Sequence, residues 1–426
     1  MKVYLRTFGC RANHYDSEAV RAMVESNGHA IVSRAADADV AVFNSCAVTS
    51  EAEAELRKVV RRSARERAGG GLRSVVMGCA AALDDARPAA LRIASLPSVE
   101  SVVGGADLDA IAGALGLAHR PLTARTTAQA GTRALLRVQD GCDEHCTFCA
   151  TTLARGANRS RPIGELVREA TTLAGRHPEI VITGIHIGTY GADCGSSLGE
   201  LMERLVADVP IARFRLSSIE ATELDDRLAS LLSGLPERLV PHVHAPLQSG
   251  SDRVLKRMGR NWYTRASYAA SIESLASRMP VLGLGADVIA GFPGETAEDH
   301  AATMRAIDEL PFTYLHVFPY SARPDTAADR LRERVHPAAI TERAAELRDL
   351  GRRKAATYRA ARAGGIADVV VVGGGAERKG VTGDYLDVRI ADPSFARGDR
   401  FVARLLPNGG SLCAVPAPEA VDARSE

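Results

Sequence analysis

The chain has 426 residues, 46% hydrophobic and 25% charged, with a formal net charge of +1. This is the composition of an ordinary soluble protein with room for about three domains; no apolar run approaches membrane-spanning length, and bulk charge neither demands nor excludes a nucleic-acid partner, so any polyanion site must be local. The start, Met1-Lys2-Val3-Tyr4-Leu5-Arg6, reads as a strand rather than a signal peptide, so the expectation is a cytoplasmic protein, and its eight cysteines point to metal ligands or catalytic groups rather than disulfides.

The first segment alternates strand patterns at 2–8, 40–43, 74–77 and 100–103 with helical patterns at 17–26, 51–67 and 83–94, which predicts a parallel sheet covered on both faces. Three of the strands run into cysteines, Cys10, Cys46 and Cys79, each preceded by Gly or Ser. In a parallel sheet the carboxyl ends of the strands share one edge, so residues some 35 apart in sequence meet there. Cysteine is often only a small core filler, but the turn-forming neighbours favour a shared site, and three thiolates suggest an iron–sulfur cluster with one iron left open. The 51–67 helix carries Arg57, Lys58, Arg61, Arg62, Arg65 and Arg67, a basic face that suits phosphates or is simply solvated.

Residues 118–133 lose periodicity and read as a linker. An apolar run at 135–138 then leads into Gly141-Cys142-Asp143-Glu144-His145-Cys146-Thr147-Phe148-Cys149, a CxxxCxxC loop. A structural zinc site would need a fourth ligand, and His145, between two cysteines in a tight loop, is expected to face solvent. Three thiolates can instead hold three irons of a cubane cluster and leave the fourth free to bind the amine and carboxylate of S-adenosylmethionine. Strand patterns at 135–138, 180–183, 213–217, 242–246, 285–289 and 314–318, each separated by a helix-length stretch, predict a parallel barrel or partial barrel with its chemistry on the loops beyond the strand ends. On those loops stand Ser218, Glu220, Gln248 and Ser249, and Phe148 lies between the second and third cysteines. His242 and His244 alternate on one strand, and with no carboxylate pair beside them they read as structural. The glycines at 69–71 and 373–375 lack the Lys-Ser/Thr of a phosphate loop and read as turns.

A charged helical stretch at 331–362 precedes short β patterns at 367–372, 385–390, 400–406 and 411–415, a small barrel of a kind often used for oligonucleotides. From Ala356 onward nine Lys or Arg face nine Asp or Glu, so this barrel is neutral. Cys194 and Cys413 read as free thiols.

Taken together these residues resemble the methylthiotransferase family of radical S-adenosylmethionine enzymes. Within it, Thr7-Phe8-Gly9-Cys10-Arg11-Ala12-Asn13, Val138-Gln139-Asp140-Gly141-Cys142, the 182–188 and 215–220 stretches and His316-Val317-Phe318-Pro319-Tyr320-Ser321 are similar to the branch acting on threonylcarbamoyladenosine in tRNA. The resemblance implies an α/β architecture: an N-terminal parallel-sheet domain (1–118), a central partial (β/α)6 radical domain (132–358) and a small C-terminal TRAM-like β-barrel (364–418). It implies two 4Fe-4S clusters, an auxiliary one on Cys10, Cys46 and Cys79 and a radical one on Cys142, Cys146 and Cys149, with S-adenosylmethionine as methyl donor and radical source, for which Ser218, Glu220, Gln248 and Ser249 are candidate contacts and Phe148 is expected to pack near the cluster or the adenine. The implied reaction places a methylthio group on C2 of the modified adenosine beside the anticodon, a carbon whose hydrogen no acid–base residue can remove. A tRNA substrate and an external electron donor follow, with no obligate protein partner evident. Two other readings are methylthiolation of a ribosomal-protein aspartate and a non-catalytic iron–sulfur redox protein. After Cys149 the family usually carries an Ile-Ile-Pro-Tyr-like run, where this chain has Ala150-Thr151-Thr152-Leu153.

Overall fold

The computed structural model describes residues 1–67, 71–118, 128–210, 212–375 and 377–417. Most of the expected linker, 119–127, lies outside the described residues.

The first layer comprises β1 (Lys2–Thr7), α1 (Arg11–Ser26), β2 (Ala30–Val32), β3 (Val40–Ser45), α2 (Ser50–Glu66), β4 (Arg73–Gly78), α3 (Cys79–Ala82), β5 (Val99–Gly104) and α4 (Leu108–Leu115). Its strands are parallel in the order β2-β1-β3-β4-β5. Every residue of β3 is buried, as a central strand covered on both faces requires. Val20, Met23 and Val24 of α1 join Ile111 of α4 in one apolar cluster, and Leu56, Val59 and Val60 of α2 join a second.

Two local expectations are corrected and two short elements are added. Helix α1 begins at Arg11 rather than 17, because Asn13, Tyr15 and Asp16 are buried polar positions that break the apolar period. The helix expected at 83–94 is absent: the Asp84 carboxylate accepts the backbone N–H groups of Ile93 and Ala94, and two 3-10 turns, Ala89–Leu91 and Ile93–Ser95, take its place. Short β2 and α4 are too brief to give a pattern in the sequence.

The central layer runs β6 (Ala134–Arg137), β7 (Gln139–Asp140), α5 (Thr151–Arg155), β8 (Arg159–Ser160), α6 (Ile163–Ala174), β9 (Glu179–Thr183), α7 (Leu198–Asp208), β10 (Arg213–Leu216), α8 (Asp226–Gly234), β11 (His242–His244), α9 (Asp252–Arg257), α10 (Arg265–Arg278), β12 (Gly283–Ala290), α11 (Ala297–Glu309), β13 (Tyr314–Pro319) and α12 (Pro337–Arg362). Two parallel sheets, β6-β9-β10 and β11-β12-β13, are joined by bridges between Phe214 and Leu239 and between Ser218 and His244, giving an open partial barrel of six strands. Its core includes Leu136, Ile182, Phe214, Val243 and Leu284.

The last five strands, β14 (Ile366–Val371), β15 (Lys379–Thr382), β16 (Asp387–Ile390), β17 (Arg400–Asn408) and β18 (Ser411–Pro416), close a barrel in the order β14-β15-β16-β18-β17. Strand β15 is not expected from the sequence, since Gly380 weakens its pattern; the glycine is needed because a Cβ there would sit 2.6 Å from Val369 Cγ1. This barrel is tied to the central one through buried charge. Glu179 accepts Arg213 Nε at 2.7 Å and Arg215 Nε at 2.9 Å, while the same arginines donate to the carbonyls of Asp368, Val381, Thr382 and Gly383. Burial opposes ionisation of Glu179, but the two guanidinium groups outweigh it and hold the carboxyl well below its usual range.

Candidate active site

Cys10 caps α1 just beyond β1, Cys46 follows β3, and Cys79 opens α3 directly after β4, so the three cysteines stand at the carboxyl ends of three neighbouring parallel strands. Asn13 Oδ1 lies 3.9 Å from Cys10 Sγ and 3.8 Å from Cys79 Sγ. Its amide nitrogen donates to the carbonyls of Phe8 and Ser45, both at 2.9 Å, which fixes the side chain between the strand ends. Gly9, at φ +92°, lets the backbone close on the third thiol; a Cβ there would stand 2.5 Å from Cys46 Sγ. Burial pushes the Cys46 thiol up to about 11 and raises Cys79 as well. Buried thiols such as Cys46 and Cys79 become thiolates when a metal supplies the countercharge, so these two, together with Cys10 at the surface, suit an iron cluster.

Cys142, Cys146 and Cys149 open onto one cavity of about 260 Å³ at the mouth of the partial barrel. His145 is exposed, which leaves three sulfurs and no fourth protein ligand from the loop. Each sulfur has a polar neighbour. His186 Nδ1 lies 3.6 Å from Cys142 Sγ, Arg260 Nη1 donates to Cys146 Sγ at 3.6 Å, and the Thr151 N–H donates to Cys149 Sγ at 3.4 Å. His186 is in turn held by Glu223 at 2.8 Å. Burial would lower the His186 pKa, but Cys142 and Glu223 outweigh it and raise it to about 10. Arg260 pairs with Glu220, donates to Tyr263 Oη at 2.9 Å and lies over the Trp262 ring at 4.7 Å. Burial pushes the Cys146 thiol up to about 12, so this trio also fits an electropositive cluster.

Of the residues expected to touch S-adenosylmethionine, Phe148, Ser218, Glu220 and Gln248 line this cavity. Ser249 does not: it is 1% exposed, its hydroxyl lies 3.3 Å from Thr303 Oγ1 on α11, and it accepts the Ser251 N–H at 3.2 Å. Alternation along the loop after β11 turns Gln248 toward the mouth and Ser249 away from it. Gln248 adopts φ +59°, a left-handed conformation that only firm neighbours sustain in a non-glycine residue. Its N–H donates to the Asp287 carbonyl at 2.8 Å and its carbonyl accepts from Ile289 at 3.0 Å.

A second cavity of about 160 Å³ adjoins the first and shares Phe148, Gln248 and Asp287 with it. Its far wall is Val48 and Thr49, just beyond Cys46 in the chain. The two cavities thus share a wall, and Val48 and Thr49 bring the second one within three residues of Cys46, while Arg155, at the end of α5, reaches the N-terminal set directly by donating to Cys79 Sγ at 3.2 Å. Sequence reasoning missed Arg155, Arg260, Asp287 and His316, whose contacts with the cysteines and with the other polar and charged groups of the site run across up to 142 positions and leave little local signal.

Comparison with known proteins agrees with this geometry. Residues 2–104 match the family described as uncharacterized protein family UPF0004, and residues 136–307 match the radical SAM superfamily. The structure of the radical S-adenosylmethionine methyltransferase TsrM from Kitasatospora setae shares the fold, with a TM-score of 0.52 and 14% identity over 77% of each chain. Fold and cysteine loop thus define a radical S-adenosylmethionine enzyme. The chain is 35% identical over 376 residues to the threonylcarbamoyladenosine tRNA methylthiotransferase MtaB of Bacillus subtilis, covering 84% of this chain and 81% of that one. It is 36% identical over 341 residues to the MtaB of Rickettsia prowazekii, covering 76% and 77%. It is 34% identical over 417 residues to the tRNA-2-methylthio-N(6)-dimethylallyladenosine synthase of Sorangium cellulosum, covering 88% and 82%. The chain belongs to the MtaB-like radical S-adenosylmethionine methylthiotransferases, and its cofactors are 4Fe-4S clusters and S-adenosylmethionine.

Proposed function

We propose that this enzyme adds a methylthio group to C2 of N6-threonylcarbamoyladenosine beside the anticodon of tRNA. The carrying observation is the pair of cysteine trios, one on the cavity at the barrel mouth and one at the strand ends of the N-terminal sheet, linked by the Arg155–Cys79 contact; it supports a radical source and a sulfur source serving one substrate. The names of the Bacillus and Rickettsia relatives, each matched over three quarters or more of its length, support the nucleoside and favour RNA over a protein substrate.

Cys142, Cys146 and Cys149 hold the radical cluster and Cys10, Cys46 and Cys79 the auxiliary one; Phe148, Ser218, Glu220 and Gln248 contact S-adenosylmethionine. When bound, these groups supply the electron, the methyl group and the hydrogen-abstracting radical. The protein's own side chains position and insulate. His186, Arg260 and the Thr151 N–H steady the three sulfurs of the radical loop, and hydrogen bonds to sulfur are a known lever on cluster potential. Arg155 Nε does the same for Cys79. Phe148, packed edge-on to Phe292 at 6.3 Å, and Trp262 give the mouth apolar walls that exclude water.

The functional units follow the order 1–118, 132–358 and 364–418, the electron comes from an external donor, and the enzyme works as a cytoplasmic protein without an obligate partner. Among the described residues no helix is long and apolar enough to cross a membrane. Mass analysis of tRNA nucleosides from a deletion strain tests the function: the methylthio form of threonylcarbamoyladenosine disappears and returns with the wild-type gene. Persistence of that nucleoside in the deletion strain contradicts the assignment.

A further inference from the structure

The barrel mouth contains a carboxylate with one oxygen fixed and the other open. Asp287 sits on β12 with His316 directly opposite on β13, and His244 enters from β11, two positions out of register on the same face. His244 Nε2 lies 3.0 Å and His316 Nδ1 3.2 Å from the same oxygen, Asp287 Oδ1. Among the described residues no hydrogen bond engages Oδ2, and Asp287 lines both cavities. Burial opposes its ionisation, but the two histidines prevail and hold the carboxyl well below its ordinary range.

The arrangement is braced from behind. Tyr314 Oη lies 3.0 Å from His244 Nδ1 and 2.9 Å from His242 Nε2. The tyrosine ring fills the place where a side chain at residue 285 would stand: a Cβ on Gly285 would approach the ring to 2.0 Å. Three strands and a second layer of rings thus aim one carboxylate into the opening, more support than an idle surface acid has.

The smaller cavity suits a flat ring. Val48 and Phe318 are among the few large apolar side chains left exposed, at 60% and 39%, and both line it, together with Phe148 and Ile289. Aromatic and apolar walls take the faces of a nucleobase, while polar groups at the edge read its substituents.

We propose that this cavity seats the purine of the substrate nucleoside, with Asp287 Oδ2 accepting the hydrogen of the exocyclic N6–H, so that Asp287 selects N6-monosubstituted adenine and His244 and His316 are positioning residues. The inference rests on the tRNA reading above. An N6 that carries a single acyl substituent keeps one N–H to donate; a doubly substituted N6 has none. A fixed acceptor left without its donor in a desolvated site is a large penalty, so discrimination of tenfold or more is expected, using the range for hydrogen bonds to charged groups.

The test uses the full-length protein reconstituted anaerobically and two anticodon stem-loop RNAs that differ only at the target adenosine, one N6-threonylcarbamoylated and one N6,N6-dimethylated. Wild type binds the first about tenfold or more tighter. Asp287→Asn brings the two affinities within about threefold, and His316→Gln narrows the gap partway. The electron paramagnetic resonance change on adding S-adenosylmethionine is recorded for each variant without RNA, and is expected to match that of wild type. Unchanged discrimination in Asp287→Asn overturns the proposal and leaves the tRNA reading standing; failure of wild type to bind either RNA overturns both. Loss of the S-adenosylmethionine response in Asp287→Asn overturns it by assigning Asp287 to the cofactor. One equivalent of a non-iron divalent cation present in wild type and absent from Asp287→Asn overturns it in favour of a metal centre on His244, Asp287 and His316.

Discussion

Arg155 Nε lies 3.2 Å from Cys79 Sγ, although Arg155 follows the radical loop and Cys79 belongs to the N-terminal sheet. The same guanidinium donates to Asp16 at 2.8 Å, to Asp140 at 2.9 Å and to Asn13 Oδ1 at 2.7 Å. One buried side chain therefore ties the segment that follows the radical loop to the N-terminal sheet beside Cys79. Replacing it with alanine leaves the buried Asp16 and its neighbour Asp140 with Arg137 as their remaining close cation, and the expected cost is about 1.5–3 kcal/mol, the range for a lost hydrogen bond to a charged group. Arg155→Lys keeps the charge but loses the fork, so it falls between. Urea unfolding of the three proteins checks this; a loss below about 1 kcal/mol for Arg155→Ala would show that the pairing is incidental.

The link between the central and C-terminal barrels has a similar logic. Glu179→Gln leaves the fully buried Arg215 without its carboxylate and Arg213 with that of Asp368, and the expected destabilisation is about 3–5 kcal/mol. Because both arginines also hold carbonyls at 368 and 381–383, amide hydrogen exchange in β15 should accelerate more in this variant than exchange in β3. Equal acceleration in both strands would show that the charge cluster does not fasten the barrel.

Stability should fall on acidification in two windows. Burial depresses the His242 pKa, so below the ordinary histidine value of about 6.5 the unfolded chain takes up a proton that the folded chain refuses, and stability declines as pH drops. The depressed Glu179 adds a second loss that begins below its unfolded value of about 4.3. Urea midpoints measured from pH 8 to 5 should therefore fall below about pH 6.5 in wild type and decline less in His242→Asn. Parallel curves would remove His242 as the cause.

The basic face of α2 divides in the structure. Arg57 and Arg67 turn inward to the carbonyls of Leu91 and Ala38, whereas Lys58, Arg61, Arg62 and Arg65 remain at the surface. Alanine at Lys58, Arg61 and Arg65 together should weaken tRNA binding uniformly across sequences and flatten the dependence of log affinity on log salt by about 0.9 for each phosphate no longer neutralised. An unchanged slope would mean that α2 is only a solvated surface.

Much of this architecture is readable in the sequence because its signals are local. The six central strands are short apolar runs that end in glycine or polar residues, and the cysteines carry their spacing openly. What stays hidden is pairing across distance. The acidic partner of His244 is Asp287, which sits inside an apolar strand and looks there like an isolated exception. The apolar period shortens helix α1 because Asn13 and Asp16, buried to hold the strand ends and Arg155, have the character of surface residues. The 83–94 stretch has helical composition, but the Asp84 side chain competes for the backbone and wins. Ser249 shares a loop with Gln248, and only the phase of the alternation, which the sequence does not show, decides which of the two faces the mouth.

The central claim is that the two cysteine trios do different work on one substrate. The direct measurement follows 5′-deoxyadenosine and the methylthio nucleoside together, using reconstituted wild type, Cys146→Ala and Cys79→Ala with S-adenosylmethionine, a reductant and threonylcarbamoylated tRNA. Wild type should form both products, Cys146→Ala neither, and Cys79→Ala the deoxyadenosine alone. Methylthiolation that survives Cys79→Ala, or deoxyadenosine that survives Cys146→Ala with its iron signal intact, would contradict the account.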